Sequence, residues 1–195
     1  MQSNNRLTEH NSWILLCDIQ KTFVKRIFNM DSVMYVAKAM NQISKVFEIP
    51  MIVTEQTPQN LGHIANDLKN ELPKNHKKFE KSQFSMLTPE VLSELKSQPD
   101  RKNILLYGIE THICVLQTAL DALENGYNVY LVIDGVSSQR DFDRSVAIKR
   151  MEKSGIMFTT LEQLIFEIMR DQKHKKFREI LPILKKTRPT QFPKL

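Results

Sequence analysis

The residues of this chain best suited to covalent chemistry are its two cysteines, Cys17 and Cys114, and the acids that close its apolar runs, Asp18, Glu55, Glu110 and Asp134. Cys114 follows the run Asn103–Tyr107 and a turn, Gly108–His112, and falls in the first turn of a helix-period segment, with Thr111 where a cap would stand. A thiol there faces the positive end of a helix dipole and free backbone N–H groups, both of which favour thiolate. The same N–H groups can hold an oxyanion in an acyl-transfer transition state. The alternative for such a residue is a buried thiol packing as a small hydrophobe, and position alone leaves the two readings level.

For these residues to meet, they must sit at the ends of neighbouring strands. Apolar runs at Trp13–Cys17, Met51–Thr54, Asn103–Tyr107, Asn128–Ile133 and Ile156–Thr159 read as buried strands. Between them lie helix-period segments. One covers 31–47, with Val33, Val36, Ala37, Met40, Ile43 and Phe47 on one face, Asp31 as cap and Pro50 as stop. Thr88-Pro89 opens another. Others run over Ile113–Asn125 to Gly126, about Arg140–Ser154 to Gly155, and after Thr160, which pairs with Gln163 as a capping box. A polar strand near His76–Glu80 has the weakest signal. The alternation predicts a three-layer α/β/α domain with a mainly parallel sheet, whose ligands bind beyond the carboxyl ends of the strands.

With 195 residues and 41% apolar content, one core is expected: a polar extension over 1–12, a domain over 13–171 and a basic helix and tail over 172–195. No apolar stretch reaches the ~18 residues a membrane span needs. Met1–Ser12 is polar with one Arg, and no secretory or mitochondrial address is read there. Two cysteines point to a reducing compartment, with the cytoplasm as default. The net charge of +6 is carried by the tail: from Lys173 on, eight Lys or Arg face Glu179 alone, and the rest of the chain sums to −1. A solvated helix is preferred for that tail over an RNA-, membrane- or acid-binding arm.

Three motifs then resemble one family. Gly108-Ile109-Glu110-Thr111-His112-Ile113-Cys114-Val115 resembles the nucleophile motif of the isochorismatase-like (cysteine hydrolase) superfamily. Leu16-Cys17-Asp18-Ile19-Gln20-Lys21-Thr22-Phe23 resembles its Asp-x-Gln-x-x-Phe strand, and Lys81-Ser82-Gln83-Phe84-Ser85 its Lys-x-x-Phe-Ser motif. The order and spacing are family-like from about Trp13 to Met169. Thr54–Gly62, Asp134–Ser138 and Lys176–Ile180 look like the eukaryotic isochorismatase domain-containing proteins, and the kinetoplastid mitochondrial-associated ribonuclease branch is similar too.

The resemblance implies strand order 3-2-1-4-5-6, a Cys114 nucleophile with a covalent thioester route, and a non-proline cis peptide at Ile109–Glu110. That peptide would aim the N–H groups of Glu110 and Cys114 into an oxyanion hole. Asp18 would take the thiol proton and Lys81 would hold the charges; Lys77 and Lys78 compete with Lys81, and only the Phe84-Ser85 anchor selects it. Gln20, Phe23, Glu55, Phe84 and His112 are candidates to line the pocket. Cys17 should point away from Asp18 into the core. Metal-dependent relatives carry Asp-x-His and His after the second strand, where this chain has Glu55-Gln56-Thr57-Pro58 and only His63 nearby. Neither a metal nor another cofactor is therefore expected. His63 reads as a loop residue, and His10, His76 and His174 as surface. The expected function is hydrolysis of a small molecule, most plausibly at an amide bond, by a homo-oligomer with no membrane contact. The alternatives are an RNA-binding or ribonuclease-like protein and a catalytically silent interaction protein; for location, the alternative to the cytoplasm is mitochondrial association.

Overall fold

The structure, a computed structural model, describes residues 6–185. Six strands form one sheet: β1 (Ser12–Cys17), β2 (Met51–Gln56), β3 (Lys77–Lys81), β4 (Asn103–Ile109), β5 (Asn128–Ser137) and β6 (Met157–Thr159). The order is β3-β2-β1-β4-β5-β6, and every pairing is parallel. Central strands covered on both faces must be apolar throughout, and β1, β2 and β4 are buried at every position. At the edge, β3 exposes Lys77, Lys78 and Glu80. Charge on an edge strand discourages pairing with another chain, and it also removes the apolar signal by which such a strand is read.

The helices are α1 (Met30–Phe47), the single turns α2 (Pro58–Leu61) and α3 (Asn66–Lys69), α4 (Pro89–Lys96), α5 (Leu116–Glu124), α6 (Asp141–Lys153), α7 (Leu161–Met169) and α8 (Phe177–Leu184). On one face α1 packs against β1, β4 and β5 with α7 and α8 beside it; α5 and α6 pack together elsewhere, with α5 against β5. Local chemistry fixes several ends. Thr88 caps α4 through the Val91 N–H, with Pro89 in its first turn, and Thr160 caps α7 through the Gln163 N–H. α1 starts earlier than the periodicity indicates: Asn29, left-handed at φ 49°, precedes it, and Asp31 lies inside the first turn, where its charge favours the dipole rather than capping.

Two segments outside 13–171 join the core. Leu7 is fully buried and its N–H donates to Glu167, while Ile180 and Ile183 of α8 are buried with α1 below them. An amphipathic helix needs an apolar surface to cover, and Phe47 of α1 supplies part of it, meeting the His174 ring at 5.8 Å and the Lys176 ammonium at 5.8 Å. His174 is thus half-buried rather than simply on the surface. The cations Lys186, Arg188 and Lys194 of the tail lie outside the described residues. Among the described residues, no helix is long and apolar enough to cross a membrane.

Because Ile180 fills the space over α1, Ile180→Ala should lower stability by about 2–5 kcal/mol, measured as a shifted urea midpoint with unchanged slope. A shift too small to resolve would mean that α8 is dispensable to the core.

Candidate functional site

The chain leaves β1 and returns on its other side as β4, so the crevice between these strand ends is the sheet's topological switch point. Asp18 follows β1, Lys81 ends β3, and Cys114 lies just beyond β4. All three are buried. Asp18 takes the left-handed conformation at φ 49°, unusual for a residue with a side chain. Its Oδ2 accepts from the Lys81 ammonium at 2.7 Å and its Oδ1 from the Thr54 hydroxyl at 2.8 Å. Lys81 also donates to Gln56 Oε1 at 2.7 Å and to the carbonyls of Phe84 at 2.8 Å and Gln83 at 3.2 Å. An ammonium has three hydrogens, so four acceptors fix it fully. Burial pulls the Lys81 amine down, but nearby Cys17, Asp18 and Cys114 together hold it above its ordinary value.

Cys114 sits in a π-helical turn, Thr111–Val115, that opens into α5, with the Val115 N–H reaching the Glu110 carbonyl at 3.2 Å. Glu110, not Thr111, occupies the cap position, and the Thr111 hydroxyl is buried without a partner. The wide turn sets the helix start apart from the ordinary N-terminus that the sequence pattern suggests. The turn is anchored from beneath: Thr118 donates to the Cys114 carbonyl at 2.6 Å and accepts from the Met86 N–H at 2.8 Å. The Ile109–Glu110 peptide is cis.

Cys17 does not point away from Asp18. Its Sγ donates to Asp18 Oδ2 at 3.6 Å, and one donor atom each of Cys17, Asp18 and Cys114 lie within 4.8 Å of one another. Strand alternation fails here because the positive φ at Asp18 turns the chain immediately after β1. The same crowding requires glycine at position 108: a side chain there would have its Cβ 2.1 Å from the Cys17 carbonyl. The three donors have metal-ligand chemistry, but a cation among them would have to displace the Lys81 ammonium from Asp18.

The site opens into a cavity of about 100 Å³ with Asp18, Gln56, Glu110 and Cys114 on its polar side. Its walls are Phe23, Leu61, Phe84, Ile109 and Ile113. Three other pocket candidates are not among its lining residues. Gln20 is fully buried: it donates to the carbonyls of Gln56 and Gly62 and accepts from the Gln56 N–H at 2.9 Å. It holds the residue that holds Lys81. Glu55 lies on the opposite face of β2 from Thr54 and Gln56, as period two dictates. It accepts from Lys78 at 3.1 Å and the Ile64 N–H at 2.8 Å, and pairs with His63 at 3.0 Å. His112 meets the Ser138 hydroxyl at 2.9 Å, while Glu110 accepts twice from Gln139. Asp134 accepts from the Leu161 N–H at the start of α7. Thr54, Gln56 and Cys17 are the site residues that sequence reasoning missed; for the first two, alternation along a β2 extended to Gln56 would have revealed them.

The isochorismatase domain model matches residues 12–163. The chain belongs to the isochorismatase domain family. Isochorismatase family protein 1B of Dictyostelium discoideum is 44% identical, over 96% of this chain and 93% of its own. Isochorismatase domain-containing protein 2 of Xenopus laevis is 42% identical, over 94% and 88%. The solved structure of the MAR1 ribonuclease from Caenorhabditis elegans superposes with a TM-score of 0.90 at 36% identity, covering 97% of this chain and 100% of that one. Membership of this hydrolase family, with the 3-2-1-4-5-6 parallel sheet, points to hydrolysis of a small molecule.

Burial raises the Glu55 carboxyl, but its bonds to His63, Ile64 and Lys78 outweigh that and hold it below its ordinary value of 4.5. A depressed carboxyl stabilises the fold above its ordinary value and loses that contribution as pH falls through the folded value. The stability gap between wild type and Glu55→Gln, from urea midpoints, should therefore narrow on acidification below about pH 4.5. A gap independent of pH would remove Glu55 from the linkage.

Proposed function

We propose that the protein is a metal-independent cysteine hydrolase acting on the amide bond of a small, uncharged acyl compound, with Cys114 as nucleophile, Asp18 as proton acceptor and Lys81 as the charge that orders both. The observation that carries this reading is the meeting of a thiol, a carboxylate and a buried ammonium at the floor of one small apolar cavity. Asp18 takes the thiol proton, the sulfur attacks the carbonyl carbon, and the N–H groups of Glu110 and Cys114 receive the oxyanion. Collapse expels the amine, protonated by the Asp18 carboxyl. Water, deprotonated by the same carboxylate, then releases the acid from the thioester. Lys81 touches no substrate; it pairs with Asp18 and orients it.

Cavity size and lining support the substrate class. About 100 Å³ is well below the ~300–1,000 Å³ of ordinary small-molecule sites. Its lining residues include no Arg, Lys or His to receive an anion. Phe23 and Phe84, both proposed for the pocket from the sequence, would grip the acyl part. The exposed pair Phe142 and Val146, one turn apart on α6, suits a contact between copies of the chain, and we place the protein in the cytoplasm.

A second reading is supported by the relative named a ribonuclease and by an open groove beside Phe23 that Lys21, Lys25 and Arg26 line. Against it, no histidine pair lines the apolar cavity to exchange protons with a ribose and a phosphate.

A screen of small amides should find turnover that Cys114→Ser abolishes and that dialysis against a chelator leaves unchanged. Activity kept by Cys114→Ser, or restored by zinc or iron after chelation, would overturn the mechanism. RNA cleavage that falls steeply with salt would promote the second reading. Lys81→Ala should slow Cys114 alkylation by iodoacetamide, and turnover by about 10²–10⁴-fold, with unchanged circular dichroism. An unchanged alkylation rate would remove Lys81 from the site's chemistry.

A further inference from the structure

Cys17 has no part in the hydrolysis proposed above, yet it is fully buried against the nucleophile. These two are the only cysteines of the chain. Its sulfur lies beside the charged groups of the site: Cys17 Sγ is 3.6 Å from Asp18 Oδ2 and within 4.8 Å of Cys114 Sγ. A soft metal ion is the other occupant such donors suggest, but the Lys81 ammonium already holds Asp18 at 2.7 Å.

We propose that Cys17 is a resolving thiol: when a hydroperoxide oxidises Cys114, Cys17 closes an intramolecular disulfide with it, which blocks the active site reversibly and spares the nucleophile further oxidation. The inference rests on the reading of Cys114 as a reactive thiolate. In the first step the Cys114 sulfur attacks the terminal peroxide oxygen. An S–O bond forms and the O–O bond breaks, and the displaced alkoxide or hydroxide leaves as alcohol or water with the Cys114 proton, passed on by Asp18. Cys114 is then a sulfenic acid, oxidised by two electrons. In the second step Cys17 gives its proton to Asp18 and its sulfur attacks that of Cys114. The S–S bond forms, the S–O bond breaks, and hydroxide leaves as water with the proton from Asp18. Two thiols and one hydroperoxide have become one disulfide, one alcohol (or water) and one water.

The surroundings order these steps. Burial pushes the Cys17 thiol well up; its hydrogen bond with Cys114 and the charges on Asp18 and Cys114 add to this, against a smaller opposing pull from Lys81. Cys17 therefore stays protonated and is the slower of the two to react with peroxide. Once Cys114 is a neutral sulfenic acid, its opposition is gone and Asp18 stands ready as proton acceptor. A disulfide needs about 2.05 Å between sulfurs. The two sulfurs start within 4.8 Å of each other and must close the rest of that gap. A cavity of about 100 Å³ admits hydrogen peroxide or a small alkyl hydroperoxide.

The test uses the full chain, reduced and then exposed to hydrogen peroxide. Alkylation maps Cys114 reactivity, and peptide mass mapping without reductant identifies the oxidised products. In wild type, Cys114 alkylation should fall by about tenfold or more, a Cys17–Cys114 linked peptide should appear, and dithiothreitol should restore alkylation. In Cys17→Ala and Cys17→Ser, with circular dichroism confirming the fold, Cys114 should instead gain two or three oxygens and not recover. Wild-type Cys114 passing to those acids as fast as in the variants, or linked only between chains, overturns the inference. Strong alkylation of reduced Cys114 without any linked peptide sinks this inference alone. Absence of alkylation in the reduced protein sinks the reading of Cys114 on which it rests.

Discussion

A lysine ammonium with no exposed side-chain surface stands at the carboxyl end of this sheet, and the site is arranged around it. Taking such a charge out of water costs several kcal/mol after relaxation, and it persists only with a partner charge and full hydrogen bonding. Lys81 has both: Asp18 supplies the charge, and Gln56, Gln83 and Phe84 supply the remaining acceptors. Each acceptor must in turn be held. Gln56 is clamped by Gln20 through both its backbone groups, and Asp18 is steadied by Thr54. The positive φ of Asp18 accompanies a turn that puts its carboxylate against Lys81, on the side where the Cys17 and Cys114 sulfurs lie. Removing the ammonium would leave a buried carboxylate beside two thiols, an arrangement in which at least one group must take up a proton.

Strand order explains why these groups meet at all. β1 lies between β2 and β4, so the residue after β1 faces both halves of the sheet. The Lys81 side chain reaches it from β3, two strands away, past Gln56; Cys114 reaches it from the turn after β4. The approach of β4 to β1 is close enough that Gly108 must lack a side chain. Packing and chemistry share this requirement. The glycine that lets the strands approach also brings the proposed nucleophile's turn over the end of β1.

Much of this was legible in the residues. Five of six strands and the long helices follow from apolar runs and 3.6-residue periods, because buried strands and amphipathic helices cannot hide their patterns. β3 was harder, since an edge strand with Lys77, Lys78 and Glu80 exposed has no apolar reason to look like one. Glu55 was misplaced because β2 runs two residues beyond its apolar core. Extending the strand to Gln56 reverses which side chains face the crevice. Cys17 is in the core as its strand position implies, but its direction relative to Asp18 departs from alternation for the complementary reason: alternation holds only while φ stays extended, and nothing local to the sequence announces that Asp18 leaves it. A basic helix is expected in the C-terminal segment, and α8 is there; its charge favours a solvated reading, although charge on one face of a helix says nothing about the apolar face that meets α1.

Asp18 and Glu55 show how environment, not residue type, divides roles between two buried acids near neighbouring strand ends. Glu55 has Lys78, His63 and the Ile64 N–H around it. Its charge is satisfied by groups that belong to the fold, and no reacting atom is within that set. Asp18 shares its Oδ2 between Lys81 and the Cys17 thiol, and it opens onto the cavity beside Cys114. A carboxylate whose partners include a removable proton can exchange that proton, whereas one bound by backbone, histidine and lysine at a strand end serves to pin a loop. The apolar walls sharpen the difference, because low polarity around Asp18 strengthens every charge interaction at that end of the sheet. The same acid type thus anchors the His63–Ile64 segment on one face and lies beside two thiols on the other.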